Sequence, residues 1–328
     1  MTRGDLVGGT IVVCWAAVLA AIGLTERGAA APDGAAPDRR RVESLTPAAG
    51  VGLPADHATY DVRRGTEVVG RVDADQGRFR DDAAARGAVA PGAVYWLKRV
   101  LRLDLARLKI PGELPPALGV SSTLEAQLAD DLSLASFRFE AAGPDGPLAS
   151  AHGTLTGSVA RLTLTFGAST EDVSVPLTSP PLLEEAALPL LAHRGDLARL
   201  GARFSLAVLD PQTGRPDTVL LEVAGPEVVA LADGGVMSAI KVVREPGSAA
   251  ARAVWVDPHG RIVREELPLG LVSVRAALPD PIGPPGPAGP PGPSVPPVPP
   301  GPPAGDAPAS APPRALPAPS PPVRPPAP

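Results

Sequence analysis

Residues 57–278 are dominated by short runs in which apolar and polar side chains alternate, each bounded by turn residues. Leu162 and Leu164, for example, alternate with threonines, and a period of two places the apolar side chains on one face of a β-strand. From Tyr60 to Val72 a glycine-containing bend separates two such runs, which is typical of a hairpin. The pattern predicts a mostly antiparallel β domain of roughly ten strands.

Helical signals are few, and the sequence predicts only one or two short helices. The run from Pro180 to Leu188 has proline at its start and acidic residues in its first turn, and Pro189 is expected to end or kink the helix. Residues Ser122–Glu125 match a helix capping box. Alternation across the same residues fits a strand equally well, so both assignments remain open there.

Proline divides the chain into three unequal parts. Of the 44 prolines, 4 lie in residues 1–56, 16 in 57–278 and 24 in 279–328. The last part is predicted to be a disordered tail, which as polyproline of about 3.1 Å per residue would reach about 150 Å. Its collagen-like triplets, residues 283–294, are too few for a stable triple helix. The tail either presents proline motifs such as Pro296–Pro299 to a protein partner or has no partner.

The amino-terminal region contains an uncharged apolar run of 20 residues, Leu6–Thr25. At about 1.5 Å per residue, a helix of this length spans the roughly 30 Å hydrocarbon layer of a bilayer. Residues 1–25 are therefore predicted to be an uncleaved signal anchor. The alternative is a signal peptide cleaved after Ala31, which Pro32 disfavours. Cys14 lies inside the apolar run, after residues that form a poor lipoprotein signal.

Residues 26–56 are rich in Ala, Gly, Pro and Asp and are predicted to be a flexible linker. More arginines follow the apolar run than precede it, which by itself favours a cytoplasmic main domain. The short amino terminus and the β-rich domain favour export instead. We expect a single-pass protein of a bacterial inner membrane, with its main domain in the periplasm.

Composition and motifs exclude several functional classes. One cysteine cannot support a disulfide scaffold, and a net charge of −5 without a basic, aromatic-rich patch argues against nucleic-acid binding. No Gly-x-Ser-x-Gly motif and no phosphate-binding glycine loop occur. The histidines lack metal-ligand spacing: His57, His152, His193 and His259. We therefore expect no catalytic activity, metal or cofactor.

Nine of the ten aromatic residues lie in residues 57–278. If the sheet curls, four of them would line a cavity for an acyl chain or another apolar ligand, namely Tyr60, Tyr95, Trp96 and Trp255. The alternative is that these four side chains fill the core. The pattern alone does not decide between the two.

Four short segments of the β-rich domain carry a resemblance, namely Val223–Val229, Ala239–Val242, Val254–Gly260 and Leu267–Gly270. They resemble an uncharacterised β-rich module of exported bacterial proteins that often precedes a transglutaminase-like domain. The likeness extends from Asp131 to Leu278, and the hairpin Tyr60–Arg71 is similar to the start of the module. Such modules are similar to lipoprotein-carrier (LolA-like) half-barrels. The resemblance implies a curled antiparallel sheet, or half-barrel, around a helix.

The chain departs from that family in the residues of catalysis. A transglutaminase-like site needs a cysteine nucleophile with a histidine and an aspartate, whereas the only cysteine is Cys14 and proline dominates after Leu278. We expect a non-catalytic, membrane-anchored extracytoplasmic scaffold or interaction module. The alternative is a half-barrel that binds a lipid or the acyl chain of a lipoprotein.

Overall fold

The computed structural model describes four stretches of the chain: residues 41–79, 89–108, 119–211 and 213–278. The predicted signal anchor (1–25) and proline-rich tail (279–328) lie outside them. Among the described residues, no helix combines the length and the apolar composition needed to cross a bilayer. The described chain is mainly β, as the alternation predicted, and forms one open, mixed sheet.

Fifteen strands make up this sheet in the described part of the chain. In chain order they are β1 (Val42–Ser44), β2 (Asp56–Arg64), β3 (Glu67–Arg78), β4 (Ala93–Asp104), β5 (Gly119–Ala129), β6 (Leu134–Gly143), β7 (Gly146–Thr156), β8 (Val159–Phe166), β9 (Ser169–Pro176), β10 (Arg203–Leu209), β11 (Pro216–Ala230), β12 (Val236–Arg244), β13 (Arg252–Val256), β14 (Ile262–Leu267) and β15 (Leu271–Arg275). Helix α1 (Glu184–His193) lies between β9 and β10. Two 3-10 turns are Asp196–Ala198 and Pro268–Gly270.

The sheet consists of two antiparallel meanders joined side by side. Its order is β1, then β10 to β15, then β2 to β9. Strand β15 pairs with β2, and this pairing joins the two meanders. The parallel pairing of β1 with β10 makes the sheet mixed.

The prediction of roughly ten strands was wrong because tight turns divide residues 119–176 into more strands than the alternation revealed. Gly157 and Gly167, with φ of 59° and 58°, reverse the chain between β7 and β8 and between β8 and β9. Glycine reaches this left-handed region without the steric penalty of a Cβ atom. Neighbouring strands therefore follow one another almost without a loop.

The predicted flexible linker, residues 26–56, also needs correction where the structure describes it. Strand β1 belongs to the sheet, and Leu45, Val51 and Leu53 are buried in the main core. These few apolar residues show no periodicity, so the sequence pattern did not reveal that they pack against distant strands. The folded part therefore includes residues that precede residue 57.

The segment that follows β1 links the two meanders through two backbone hydrogen bonds. Leu45 donates to the carbonyl of Ser205 on β10, and Ala48 donates to Asp131 in the turn between β5 and β6. Side chains from the two meanders consequently share one core on the inner face. Phe137 and Phe204, from opposite halves of the sheet, are both fully buried in it.

Helix α1 lies in this core, and it starts later and ends later than predicted. Leu182 forms a bridge with Val208 of β10, so the chain stays extended until Leu183. The helix then continues past Pro189 to His193. Proline removes one helical hydrogen bond, but continuous burial from Ala186 to Leu191 stabilises the helix around it.

Other local predictions are confirmed. The hairpin of β2 and β3 turns at Gly65, whose φ is 61°. Strands β13 and β14 form the late hairpin around residues 257–260. Residues Ser122–Glu125, for which a capping box and a strand were both open, lie inside β5.

Candidate functional site

On the inner face of the sheet, charged side chains gather beneath the first turn of α1. Arg99 of β4, Arg244 of β12 and Glu265 of β14 reach this turn, where they meet Glu184 and Glu185. We call these five residues the charged cluster. It is the densest group of interacting charged side chains on the inner face of the described chain, and we therefore treat it as the candidate site.

Arg99 forms the centre of the charged cluster because it pairs with two carboxylates. Its Nη1 lies 3.3 Å from Oε1 of Glu185, and its Nη2 pairs with Glu265. Burial alone would lower the pKa of Arg99, but the nearby carboxylates of Glu265 and Glu185 outweigh burial and raise that pKa. The guanidinium therefore stays charged and joins β4, β14 and the helix.

Glu184 occupies the other side of the charged cluster. Its Oε2 lies 2.9 Å from Nη1 of Arg244. Burial raises the pKa of Glu184 to about 7, and Arg244 only partly opposes this while Glu185 and Glu265 add to it. The cluster contains three carboxyl groups and two guanidiniums, so one carboxyl group lacks a matching charge within it.

A second buried ion pair lies beside the charged cluster. Nη2 of Arg275 on β15 lies 2.7 Å from Oδ1 of Asp56 on β2. The guanidinium is also 5.9 Å from the ring centre of Tyr60, whose hydroxyl donates to the carbonyl of Ile262 at 3.0 Å. Burial raises the pKa of Tyr60 to about 12. This phenol is therefore neutral and acts as a hydrogen-bond donor.

A small cavity separates the charged cluster from this ion pair. Its volume is about 40 Å³, and its polar lining includes Asp56, Tyr60, Gln76, Arg99, Glu185 and Arg261. One water molecule needs about 10–15 Å³ by this kind of measure. The cavity therefore has room for a few water molecules and is far too small for an acyl chain.

The turn between β13 and β14 lines the small cavity and contacts helix α1. Oδ2 of Asp257 accepts a hydrogen bond from Nε of Arg261 at 2.6 Å, and both side chains are buried. A Cβ atom on Gly260 would lie 2.6 Å from backbone atoms of Leu188 and Pro189. Only glycine allows the turn to approach the helix backbone this closely.

The structure distributes the four predicted cavity-lining aromatics over different places. Tyr60 is buried in a cluster with Val62 and Val72 and contributes to the small polar cavity. Tyr95 is buried in the main core. Its neighbour Trp96 points to the other face of β4, half-buried, with its ring against Gly77.

Trp255 lies on the outer face of the sheet, in a small apolar cluster with Val229 and Val263. Its Nε1 donates to Oε2 of Glu227 at 2.7 Å. The ammonium of Lys241 and the guanidinium of Arg264 lie 5.1 and 4.7 Å from its ring. These contacts enclose the indole on several sides. The four aromatics are thus not brought together in the described structure.

The sequence analysis missed the charged cluster, although β4 contains a signal for it. Arg99 falls in phase with Leu97, Leu101 and Leu103, which marks a charged residue on a face that is otherwise apolar. Its partners come from distant strands and could not be inferred from spacing. Within the described residues, no group of three or more His, Cys, Asp or Glu side chains is placed to hold a metal ion.

Comparisons with known proteins give no family for this chain. No protein-family model matches it, and no curated protein matches it. Among solved structures it is similar to a β-barrel-like protein of the domain of unknown function DUF1849 from Brucella abortus, with 11% identity and a TM-score of 0.45, covering 70% of this chain and 97% of that one. A DUF1089 family protein from Pseudomonas aeruginosa has 13% identity and a TM-score of 0.31, covering 68% and 95%.

Proposed function

We propose that this protein is a non-catalytic, membrane-anchored extracytoplasmic module that acts as a scaffold or interaction module for other proteins. The observation that carries the proposal is the filled interior. Helix α1 buries six consecutive residues, Ala186–Leu191, against the inner face, and the cavity beside it has a volume of about 40 Å³. In the described part of the chain, the space beside the helix is too small for an acyl chain, so the module acts through its surface.

The charged cluster supports the same proposal. Its arginines are bound to its own carboxylates and it joins three strands to the first turn of α1. Such a network orients the helix, since each ion pair holds its two side chains in a particular geometry. The charged cluster therefore helps to hold the sheet and the helix in a fixed arrangement.

Localisation is the first property to test. The full-length chain with a carboxy-terminal tag is expressed in a Gram-negative bacterium, and its membrane association and protease sensitivity in spheroplasts are measured. We expect it in the inner-membrane fraction, degraded by protease in spheroplasts and protected in intact cells. Leu19→Arg, inside the apolar run, should reduce membrane association at least tenfold, whereas the matched change Ala30→Arg should not. A soluble wild-type product, or one that is protected from protease in spheroplasts, would overturn the proposal.

The second candidate function is a lipid-binding or lipoprotein-binding half-barrel, related to the LolA-like and transglutaminase-associated modules that the sequence resembles. One observation favours it: Leu101, Leu103 and Leu124 lie on the inner face of β4 and β5 and are only half-buried. These leucines would provide an apolar strip beyond the end of the filled core.

Lipid extracted from the purified full-length chain, quantified by mass spectrometry, tests this candidate. If this second candidate is correct, the wild type contains stoichiometric apolar ligand, and Leu103→Gln loses at least fivefold of it. Val159→Gln, which alters a valine elsewhere on the surface, is the matched control. Equal lipid content in all three proteins would exclude the half-barrel as the binding site and leave the scaffold proposal intact.

A further inference from the structure

Strand β9 forms one edge of the sheet in the described part of the chain. It pairs with β8 over its whole length without a bulge, and no further described strand follows it in the sheet order. At the opposite edge, β1 has only three residues. A long and regular edge strand offers its free backbone groups to another strand. We therefore asked which strand would fit beside β9.

The register of β9 shows which of its backbone groups are free. Leu177, directly after the strand, donates its N–H to the carbonyl of Ser158 at 2.8 Å. In an antiparallel pair, every second residue directs both its N–H and its C=O to the same neighbour. The odd-numbered residues of β9 consequently bond to β8. Thr170, Asp172 and Ser174 direct their backbone groups away from β8, and within the described residues these groups meet no other strand.

The two faces of β9 differ in polarity. On the inner face, Val173 and Val175 are half-buried and pack against the main core. On the outer face, Asp172 is exposed, and its Oδ1 accepts a hydrogen bond from Oγ1 of Thr163 at 2.6 Å. A strand added at this edge would therefore meet valines on one face and a carboxylate on the other.

Arg161 of β8 supplies a positive charge close to the edge. It lies directly opposite Ser174 in the pairing of β8 with β9, so its side chain shares the outer face with that of Asp172. The guanidinium is exposed, and it has no ion-pair or hydrogen-bond partner among the described residues. An added strand that carried a carboxylate beside Ser174 would provide this partner.

A second copy of β9 is such a strand, in one particular antiparallel register. If Asp172 faces Ser174 of the copy, the two residues exchange both hydrogen bonds, and the N–H of Thr170 faces the carbonyl of Pro176. A shift of two residues in one direction would place Asp172 opposite itself, and like charges in that position are destabilising. A shift in the other direction would place Asp172 opposite Pro176, which has no N–H to donate.

The same register complements the charges. Arg161, Ser174 and Asp172 of the second copy would lie in one row across three neighbouring strands. Because neighbouring strands are about 4.8 Å apart, the Cα atoms of Arg161 and of Asp172 in the other copy would be about 10 Å apart. An extended arginine side chain and an aspartate together span this distance. Two-fold symmetry would form the ion pair twice.

We propose that β9 pairs with β9 of a second copy, with Asp172 opposite Ser174, so that the sheets of two chains form one continuous sheet. Arg161 of each chain then pairs with Asp172 of the other. This homodimer goes beyond the scaffold function and does not depend on membrane anchorage.

Disulfide trapping of the full-length chain tests the register. In a Cys14→Ser background, Val173→Cys and Val175→Cys are compared under mild oxidation. In the proposed dimer Val173 faces itself, with Cα atoms about 4.5 Å apart, which is within the range of a disulfide. Val175 faces Glu171 instead and is about 14 Å from its own copy. We expect at least tenfold more disulfide-linked dimer from Val173→Cys than from Val175→Cys. Equal yields, a higher yield from Val175→Cys, or no dimer from either variant would overturn the proposal.

Blocking the edge tests the backbone pairing. Added to the Val173→Cys variant, Ser174→Pro removes an N–H of the free edge and should reduce the yield of linked dimer at least fivefold. Ser174→Ala keeps this N–H and is the matched control, with a change of less than twofold. An unchanged yield in a folded Ser174→Pro variant, judged by circular dichroism, would contradict the pairing.

A charge exchange tests the ion pair and remains decisive if Ser174→Pro does not fold. Arg161→Asp places like charges across the interface and should reduce the yield of linked dimer at least threefold. Adding Asp172→Arg restores opposite charges and should return the yield to within twofold of the starting variant. If the second change restores nothing, Arg161 and Asp172 do not meet and the proposed register is wrong.

Discussion

The two ends of helix α1 are held by different kinds of interaction. Its first turn is bound by ion pairs, in which Arg99 contacts Glu185 and Arg244 contacts Glu184. Its last two turns are held by apolar packing, with Leu190 and Leu191 entirely buried. Apolar packing is non-directional, whereas paired and hydrogen-bonded charges require a particular geometry. The first turn therefore fixes the position of the helix, and the later turns provide most of the stability.

The apolar end should show the largest single effect. Leu190→Ala removes a fully buried side chain and leaves a cavity, so we expect the free energy of unfolding to fall by about 4 kcal/mol. Chemical denaturation followed by tryptophan fluorescence measures it. Leu200→Ala, at a leucine that is 73% exposed, is the matched control and should change stability by less than about 0.5 kcal/mol. If both variants lose the same free energy of unfolding, apolar packing does not hold the last turns of α1.

At the charged end, Arg99→Leu should cost about 3 kcal/mol, because Glu185 and Glu265 lose the cation between them. Denaturation at neutral pH measures the loss. Adding Glu185→Gln and Glu265→Gln to this variant removes both uncompensated charges and should restore most of the stability. If the triple variant is no more stable than Arg99→Leu, the arginine acts through packing, and the contrast between the two ends disappears.

The contact between the helix and the turn of β13 and β14 lies between these two ends. Gly260→Ala places a Cβ atom 2.6 Å from the backbone of Leu188, at a φ of 82°. Gly234 has a similar φ of 89° with nothing near its Cβ position. Both variants share the backbone strain of an alanine at positive φ, so the difference between them comes from the steric clash at position 260. We expect Gly260→Ala to lower the free energy of unfolding by about 2 kcal/mol more than Gly234→Ala. Equal thermal denaturation midpoints would mean that the turn moves aside freely.

The smallest expected effect is a pH dependence at the charged end. Burial raises the pKa of Glu184 to about 7 in the folded protein, whereas in the unfolded chain this pKa has its ordinary value of 4.5. Between these values the folded state binds the extra proton, so this residue's contribution to stability decreases as pH rises from about 4.5 to 7. Glu184→Gln should therefore become more stable relative to wild type across this range, by about 1–2 kcal/mol, and level off above it.

Urea denaturation at several pH values measures this difference. Glu171→Gln, on the exposed edge strand β9, is the matched control for replacing a glutamate by glutamine. If the stability of Glu184→Gln relative to wild type does not change with pH, the carboxyl group of Glu184 is solvated in the folded protein. The two ends of the helix would then respond to pH alike.

Much of the local structure could be predicted because it depends on neighbouring residues. Alternation identified the hairpins of β2 with β3 and of β13 with β14, since a period of two is itself the geometry of a strand. The late end of α1 could not be predicted, because only burial of Ala186–Leu191 shows why Pro189 is tolerated. The signal anchor, the disordered tail and the periplasmic location stay predictions.

The sequence by itself determined that this protein is mainly β, where the hairpins of β2 with β3 and of β13 with β14 turn, and that one or two short helices interrupt the strands. Tertiary structure alone decided that the fifteen strands of the described residues form one sheet, with both halves around a main core. It also decided that Arg99 meets Glu265, a residue far along the chain. The physical reason is that alternation specifies which face a side chain occupies, whereas strand order and curvature decide which faces meet.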